Sequence, residues 1–216
     1  MTRILVTGLG SVSALGFGAQ RLWSGLIAGE SGIAPISPAL AATTKVGLSA
    51  EIKGYVPSDH FPAADLPLLD RFSQYALIAA REAVLDAELT SAHLQTAALV
   101  LGTGCGGKET DEQTYQRLCA KPQARVHPYT IPRGMPSAAA SQVSIVFAIH
   151  GPAFSVTSAC ASANHAVAQA AMLIRHGCVE VALAGGTDAP FTVGLLRAWE
   201  ALRVLSGDGC RPFSRD

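Results

Sequence analysis

The segment from Phe154 to Gly177 constrains the fold more than any other. Phe154, Val156 and Thr157 favour a strand, and the run from Ala161 to Ile174 is rich in helix formers, with Arg175, His176 and Gly177 as its stop. One cysteine, Cys160, falls at the break between the two. A second strand, Val179–Ala184, follows at once and closes a βαβ unit. The right-handed crossover rule puts its two strands parallel in one sheet, with Cys160 at the carboxyl edge, where α/β proteins bind ligands. A thiol at the amino end of a helix meets unpaired N–H groups and the positive end of the helix dipole, which favour the thiolate, the form that attacks thioesters. The other reading of a single cysteine is a small buried hydrophobe.

The rest of the chain follows the same alternation. A strand over Arg3–Thr7 leads through glycines to a helix near Gln20–Ala28. Ser37–Ala64 reads as an irregular excursion with a short strand near Lys45–Ser49. A long helix is predicted from Asp70 to Glu88, with Phe72, Tyr75, Ala76, Ala79, Ala83 and Leu85 as a core-facing stripe. Strand Thr96–Leu101 enters the loop Gly102–Gly107, then come a polar helix near Asp111–Leu118, a proline-rich stretch Pro122–Pro136 and a helix Ser137–Ile149. Strands alternating with helices give an α/β layered fold with a mostly parallel sheet.

With 216 residues, 49% hydrophobic and 15% charged, the chain is apolar and long enough to bury a real core. From Gly134 to Ile174, about forty residues, there is no Asp, Glu, Lys or Arg, yet Pro136, Gly151, Pro152 and Asn164 interrupt the run. A membrane span needs about twenty unbroken apolar residues, so this stretch is core or interface and no membrane span is expected. The formal net charge is zero without a basic cluster, which disfavours nucleic acid as a partner. The apolar run after Arg3 ends at Gly8, too short for a signal peptide. Cys105, Cys119, Cys160, Cys178 and Cys210 lack paired or metal-type spacing, which suits reduced thiols in a cytoplasm, and the scattered histidines give no metal site.

Several motifs point elsewhere and fail. In Thr7-Gly-Leu-Gly10 the third glycine of a dinucleotide fingerprint falls at Ser13, and no acidic residue marks a ribose site. Gly102–Lys108 lacks the Gly-Lys-Ser/Thr ending of a phosphate loop. No cofactor is therefore expected. His165, five positions after Cys160, points about 140° away on a helix and does not serve as that thiol's base. Asp188 reads as a turn or cap residue rather than a catalytic acid.

Val156-Thr-Ser-Ala-Cys160-Ala-Ser-Ala resembles the active-site stretch of β-ketoacyl-acyl-carrier-protein synthases. Ile4–Gly16, Gly102-Thr-Gly-Cys-Gly-Gly107, Val181–Asp188 and Arg211-Pro-Phe-Ser-Arg-Asp216 resemble the same family in the same order. The resemblance implies a thiolase-like layered fold of which residues 1–216 form the N-terminal half. Such synthases are about twice as long, and the two histidines, the lysine and the glycine-rich loop that complete their site match no position here. It further implies that Cys160 accepts an acyl group from a carrier-protein thioester and that the complete enzyme condenses it with a carbanion from malonyl carrier protein. The implied partners are an acyl carrier protein and a second copy in a dimer. By the same alignment Cys105, Met135, Leu195 and Trp199 line the acyl pocket, Met135 reaching in from a dimer partner; the other reading of Leu195 and Trp199 is core filling.

One position departs from the pattern. Ala163 stands where the family usually has glycine, and its methyl crowds any backbone that comes close. The cysteine itself argues against the chain-length-factor relatives, which have lost it. A non-catalytic partner or fragment of a split synthase, and a thiolase relative using coenzyme A, remain the competing readings.

Overall fold

The structure, a computed structural model, describes residues 3–213. In chain order the elements are β1 (Val12–Ser13), β2 (Gly16–Phe17), α1 (Ala19–Ile27), β3 (Ala34–Pro35), α2 (Pro38–Ala41), β4 (Leu48–Ser49), α3 (Arg71–Asp86), α4 (Ser91–Thr96) and β5 (Ala98–Gly102). They continue with α5 (Lys108–Ala120), α6 (Thr130–Gly134), α7 (Ala138–Phe147), β6 (Ala153–Val156), α8 (Ser162–Arg175), β7 (Ala182–Gly186) and α9 (Val193–Leu202). The described residues fall into two compact units: one holds the residues up to Ser11 together with Val56–Ala189, the other Val12–Tyr55 and the residues from Pro190 on.

The first unit is built on a parallel sheet in the order β6-β5-β7. Its central strand carries the uninterrupted apolar run Ala98-Leu-Val-Leu101, the pattern expected of a strand covered on both faces. Alternation sends Leu99 and Leu101 to a core with Phe72 and Leu77 of α3 and Ala139, Ala140 and Val143 of α7. Val100 faces the other way, onto Ala166 and Ala170 of α8. The βαβ unit read from the sequence is present, and its strands β6 and β7 are parallel, with β5 inserted between them.

Helix α8 lies close on β5 because the residues at the contact are small. A Cβ placed on Gly102 would sit 2.3 Å from the carbonyl carbon of Ser162. Across the same contact, a Cβ on Gly186 of β7 would fall 2.6 Å from the Ala163 methyl. The extra methyl at position 163 therefore lies over a residue that has no side chain, and the packing accepts it.

Several elements differ from the sequence reading. Arg3–Thr7 is not a strand; Leu5 is 73% and Val6 81% exposed. The segment after them takes its partners from α3 instead of a strand ladder: the Leu9 N–H donates to Asp86 Oδ2 at 2.9 Å and the Ser11 N–H to Glu82 Oε2 at 2.9 Å. Leu85 is exposed, and Leu77 takes the core place, because the stripe on α3 turns with the 3.6-residue period and leaves the core before the helix ends. Helix α5 begins at Lys108, ahead of Asp111, with Glu109 and Asp111 in its first turn, where acidic side chains favour a helix start. The proline-rich stretch contains α6, with Pro132 in its first turn, where a missing N–H costs no hydrogen bond.

Asp70 ties two helices together. It is the N-cap of α3, with Oδ1 accepting from the Phe72 N–H at 3.2 Å, while Oδ2 accepts from the Thr110 N–H at 2.8 Å and the Thr110 hydroxyl at 2.6 Å. Burial, the largest influence, pushes its carboxyl above the usual carboxylate range against these hydrogen bonds.

In the second unit, β1 pairs with β2 and β3 with β4, both antiparallel. Thr192 is the N-cap of helix α9, and its hydroxyl accepts from the Leu195 N–H at 3.4 Å. The helix is held to the α2–β4 connection by Arg197 Nε, donating to the Thr43 carbonyl at 2.9 Å, and by Glu200, accepting from the Lys45 N–H.

Candidate active site

Cys160 lies in the turn between β6 and α8, one residue before the N-cap Ala161. It is exposed, so the buried-hydrophobe reading does not hold. The preceding residue, Ala159, has φ 51°, a left-handed conformation that costs a non-glycine residue about 1 kcal/mol or more. A turn of this kind lifts the next side chain out of the line of the strand.

The buried Ser162 holds that turn. Its hydroxyl accepts from the Ser158 N–H at 2.8 Å and has the Ala159 carbonyl at 2.7 Å and the Thr103 carbonyl at 3.2 Å as acceptors for its one proton. One small side chain thus links both sides of the cysteine turn to the end of β5. Its signal in the sequence is a serine two positions after the cysteine, which sequence reasoning did not single out.

The loop Gly102–Gly107 is organised by Asp188. Asp188 Oδ1 accepts from the Thr103 hydroxyl at 2.8 Å and the Cys105 N–H at 2.9 Å, and Oδ2 accepts from the Gly104 N–H at 3.0 Å. The Thr103 hydroxyl in turn accepts from the Gly106 N–H at 2.9 Å. Asp188 is therefore the cap read from the sequence, acting on a loop more than eighty residues away in the chain.

The loop carries Cys105 to the cysteine turn. A Cβ on Gly104 would lie 3.4 Å from the Ala159 carbonyl oxygen, so loop and turn are in contact. Burial first, then the charges of Asp188 and Cys160, pushes the Cys105 thiol above its usual range, while Lys108 opposes them. Cys105 is the one half-buried thiol among the five cysteines; the others are exposed. Met135, half exposed, follows α6 beside the same loop, where the Gly107 N–H donates to the Gly134 carbonyl at 3.2 Å.

Cys105, Met135 and Cys160 thus belong to the first unit, around one strand end. Leu195 and Trp199 belong to the second unit, half-buried and one turn apart on α9. His165 is exposed on α8. The last three residues of the Arg211–Asp216 stretch lie outside the described residues. Among the described residues no group of three or more His, Cys, Asp or Glu could hold a metal ion, and no helix is long and apolar enough to cross a membrane.

Residues 1–216 match the family described as beta-ketoacyl synthase, N-terminal domain. Nodulation protein E of Rhizobium leguminosarum bv. trifolii is 44% identical over 218 residues, covering 99% of this chain and 54% of that protein. The 3-oxoacyl-[acyl-carrier-protein] synthase 2 of Staphylococcus aureus (strain COL) is 34% identical over 219 residues, covering 98% of this chain and 53% of that protein. The chain spans about half the length of these relatives. Among solved structures, the ishigamide ketosynthase/chain length factor superposes with a TM-score of 0.86 at 28% identity, over 98% of this chain and 53% of that one. A beta-ketoacyl synthase from Burkholderia phymatum STM815 superposes with a TM-score of 0.83 at 24% identity, over 96% of this chain and 52% of that one, a likeness of fold. With a family match that runs from end to end and the layered α/β fold of solved ketosynthases, the chain belongs to the β-ketoacyl synthase N-terminal domain family.

Proposed function

We propose that this chain supplies the nucleophile half of a β-ketoacyl-acyl-carrier-protein synthase, and that Cys160 carries the acyl group. The supporting observation is the exposed thiol one residue before the N-cap of α8, on a turn held by Ser162. In the first step the Cys160 sulfur attacks the thioester carbonyl of an acyl carrier protein. The tetrahedral oxyanion takes one hydrogen bond from the Cys160 backbone N–H, and collapse releases the carrier thiol, which takes up the proton given by Cys160. In the second step, an activity of the complete synthase, malonyl carrier protein loses carbon dioxide and the resulting carbanion attacks the Cys160 thioester, forming the new carbon–carbon bond and freeing the thiolate.

In this reading, by resemblance to the family, Cys105 and Met135, the latter reaching in from a dimer partner, and separately Leu195 and Trp199 are acyl-tunnel positions, and leucine at 195 shortens or reshapes the tunnel. The synthase works in the cytoplasm as a dimer. Two features support a pairing surface: β6 is one of the two edge strands of its sheet, and Phe154, on that strand, is exposed together with Ile145, Val146, Val167 and Met172.

Intact mass after incubation with an acyl thioester, beside a Cys160→Ala control, tests the reading. A mass gain of one acyl group that is absent from the control supports it. A folded chain that gains the same mass in the control, or none in wild type beside its completing half, overturns it.

A further inference from the structure

A small cavity between α5 and α6 has no part in the acyl chemistry. Its volume is about 60 Å³. Thr110, Gln113, Thr114 and Arg117 line one wall, spaced three and four apart along a single face of α5, and His127, Thr130 and Arg133 face them.

The lining holds two arginines and no carboxylate. Neither guanidinium has an ion-pair partner among the described residues, because the acids of α5 are engaged elsewhere. Glu109 pairs with Arg71 at 3.3 Å, Asp111 with Lys108 at 3.1 Å, and Glu112 accepts from the Gln116 amide at 3.3 Å. Arg133 Nε is buried without a hydrogen-bond partner, a state that proteins rarely leave uncompensated. The Tyr129 N–H donates to His127 Nδ1 at 3.2 Å, which leaves the ring proton on Nε2 and makes the other edge of His127 a donor. The Thr110 hydroxyl and the Gln113 amide are already spent on Asp70 and Glu109. What remains is an excess of donors and positive charge with no carboxylate in the lining to balance it.

We propose that this cavity binds one phosphate-type oxyanion, held between the guanidiniums of Arg117 and Arg133. Arginine forks match tetrahedral oxyanions in geometry and charge. The volume admits a few waters or one such group, so any remainder of a phosphomonoester stays outside.

The test is titration calorimetry on the full chain at constant ionic strength, with inorganic phosphate and with glycerol 3-phosphate. Wild type is compared with Arg117→Gln, Arg133→Gln and, as a control at an exposed site outside the cavity, Arg125→Gln; circular dichroism checks each fold. Saturable one-site binding is expected, weakened about tenfold by either cavity substitution and unchanged by the control. A higher affinity for glycerol 3-phosphate assigns the site to a phosphomonoester, and a higher affinity for phosphate assigns it to the free ion. If Arg133→Gln does not fold, Arg117→Gln at the exposed rim decides alone. Absence of saturable binding to the folded wild type, or equal weakening in Arg125→Gln, overturns the proposal.

Discussion

The Asp188 carboxylate accepts from the Thr103 hydroxyl at 2.8 Å, and this contact fixes the loop that runs from the central strand past the cysteine turn. With the Gly104 and Cys105 N–H groups bound to the same carboxylate, one side chain sets three successive residues. Asp188→Ala removes all three hydrogen bonds. Asp188 is exposed, so water takes over part of the loss, and a destabilisation of about 1–2 kcal/mol is expected by urea unfolding. Asp188→Asn is expected to restore only part of it, because one carboxylate oxygen becomes an NH₂ that faces an N–H donor.

Ser162→Ala should affect stability and chemistry together. The substitution leaves the Ser158 N–H without its acceptor in a part-buried turn whose Ala159 is in a left-handed conformation. A loss of about 2–3 kcal/mol is expected, read by denaturant unfolding. The rate of Cys160 alkylation by iodoacetamide is expected to change in the same variant, while that of Cys178, beyond the other end of α8, stays constant.

Graded alkylation of the wild type, read by peptide mapping, should leave Cys105 as the last of the five cysteines to react. It alone is half-buried, and its thiol is raised by burial and by Asp188. Its labelling is expected to keep accelerating above pH 9.0, the ordinary thiol value.

Asp70 gives a pH dependence of unusual sign. Its folded pKa lies above the ordinary 3.8, so the folded state binds this proton more tightly than the unfolded state does. The stabilisation from the neutral form is complete below 3.8 and is lost as pH rises through the folded value. The stability of wild type relative to Asp70→Asn should therefore increase as pH is lowered through that range, measured by urea unfolding at a series of pH values. Asp70→Ala, which also orphans the Thr110 N–H, is expected to cost about 2–3 kcal/mol at neutral pH.

The βαβ unit was legible because its two periodicities meet at a single residue, and the layered fold followed from the alternation of strands and helices. Cys160 stood out for the same reason, as did Asp188 for its place after a strand. Ser162 did not stand out, and Asp70 did so only as a helix start, because what they hold together depends on partners at the ends of β5 and α5, brought close only by folding. The Arg3–Thr7 reading failed because apolar composition gives strand propensity but not a strand partner. Leu85 failed because a stripe with helical period says nothing of where the neighbouring element stops.

The contact between Ala163 and Gly186 makes two distant positions share one allowance of volume. Of the two, only one can carry a methyl at this separation, since a Cβ at 186 would come within 2.6 Å of the one at 163. Substitutions here are thus conditional on each other: Gly186→Ala alone meets a full clash, whereas the same change in an Ala163→Gly background meets a milder approach to the Gly102 carbonyl oxygen at 3.2 Å. Among sequences sharing this architecture, the size of one residue should therefore constrain the other, a signature of the helix–strand distance that can be read without a structure.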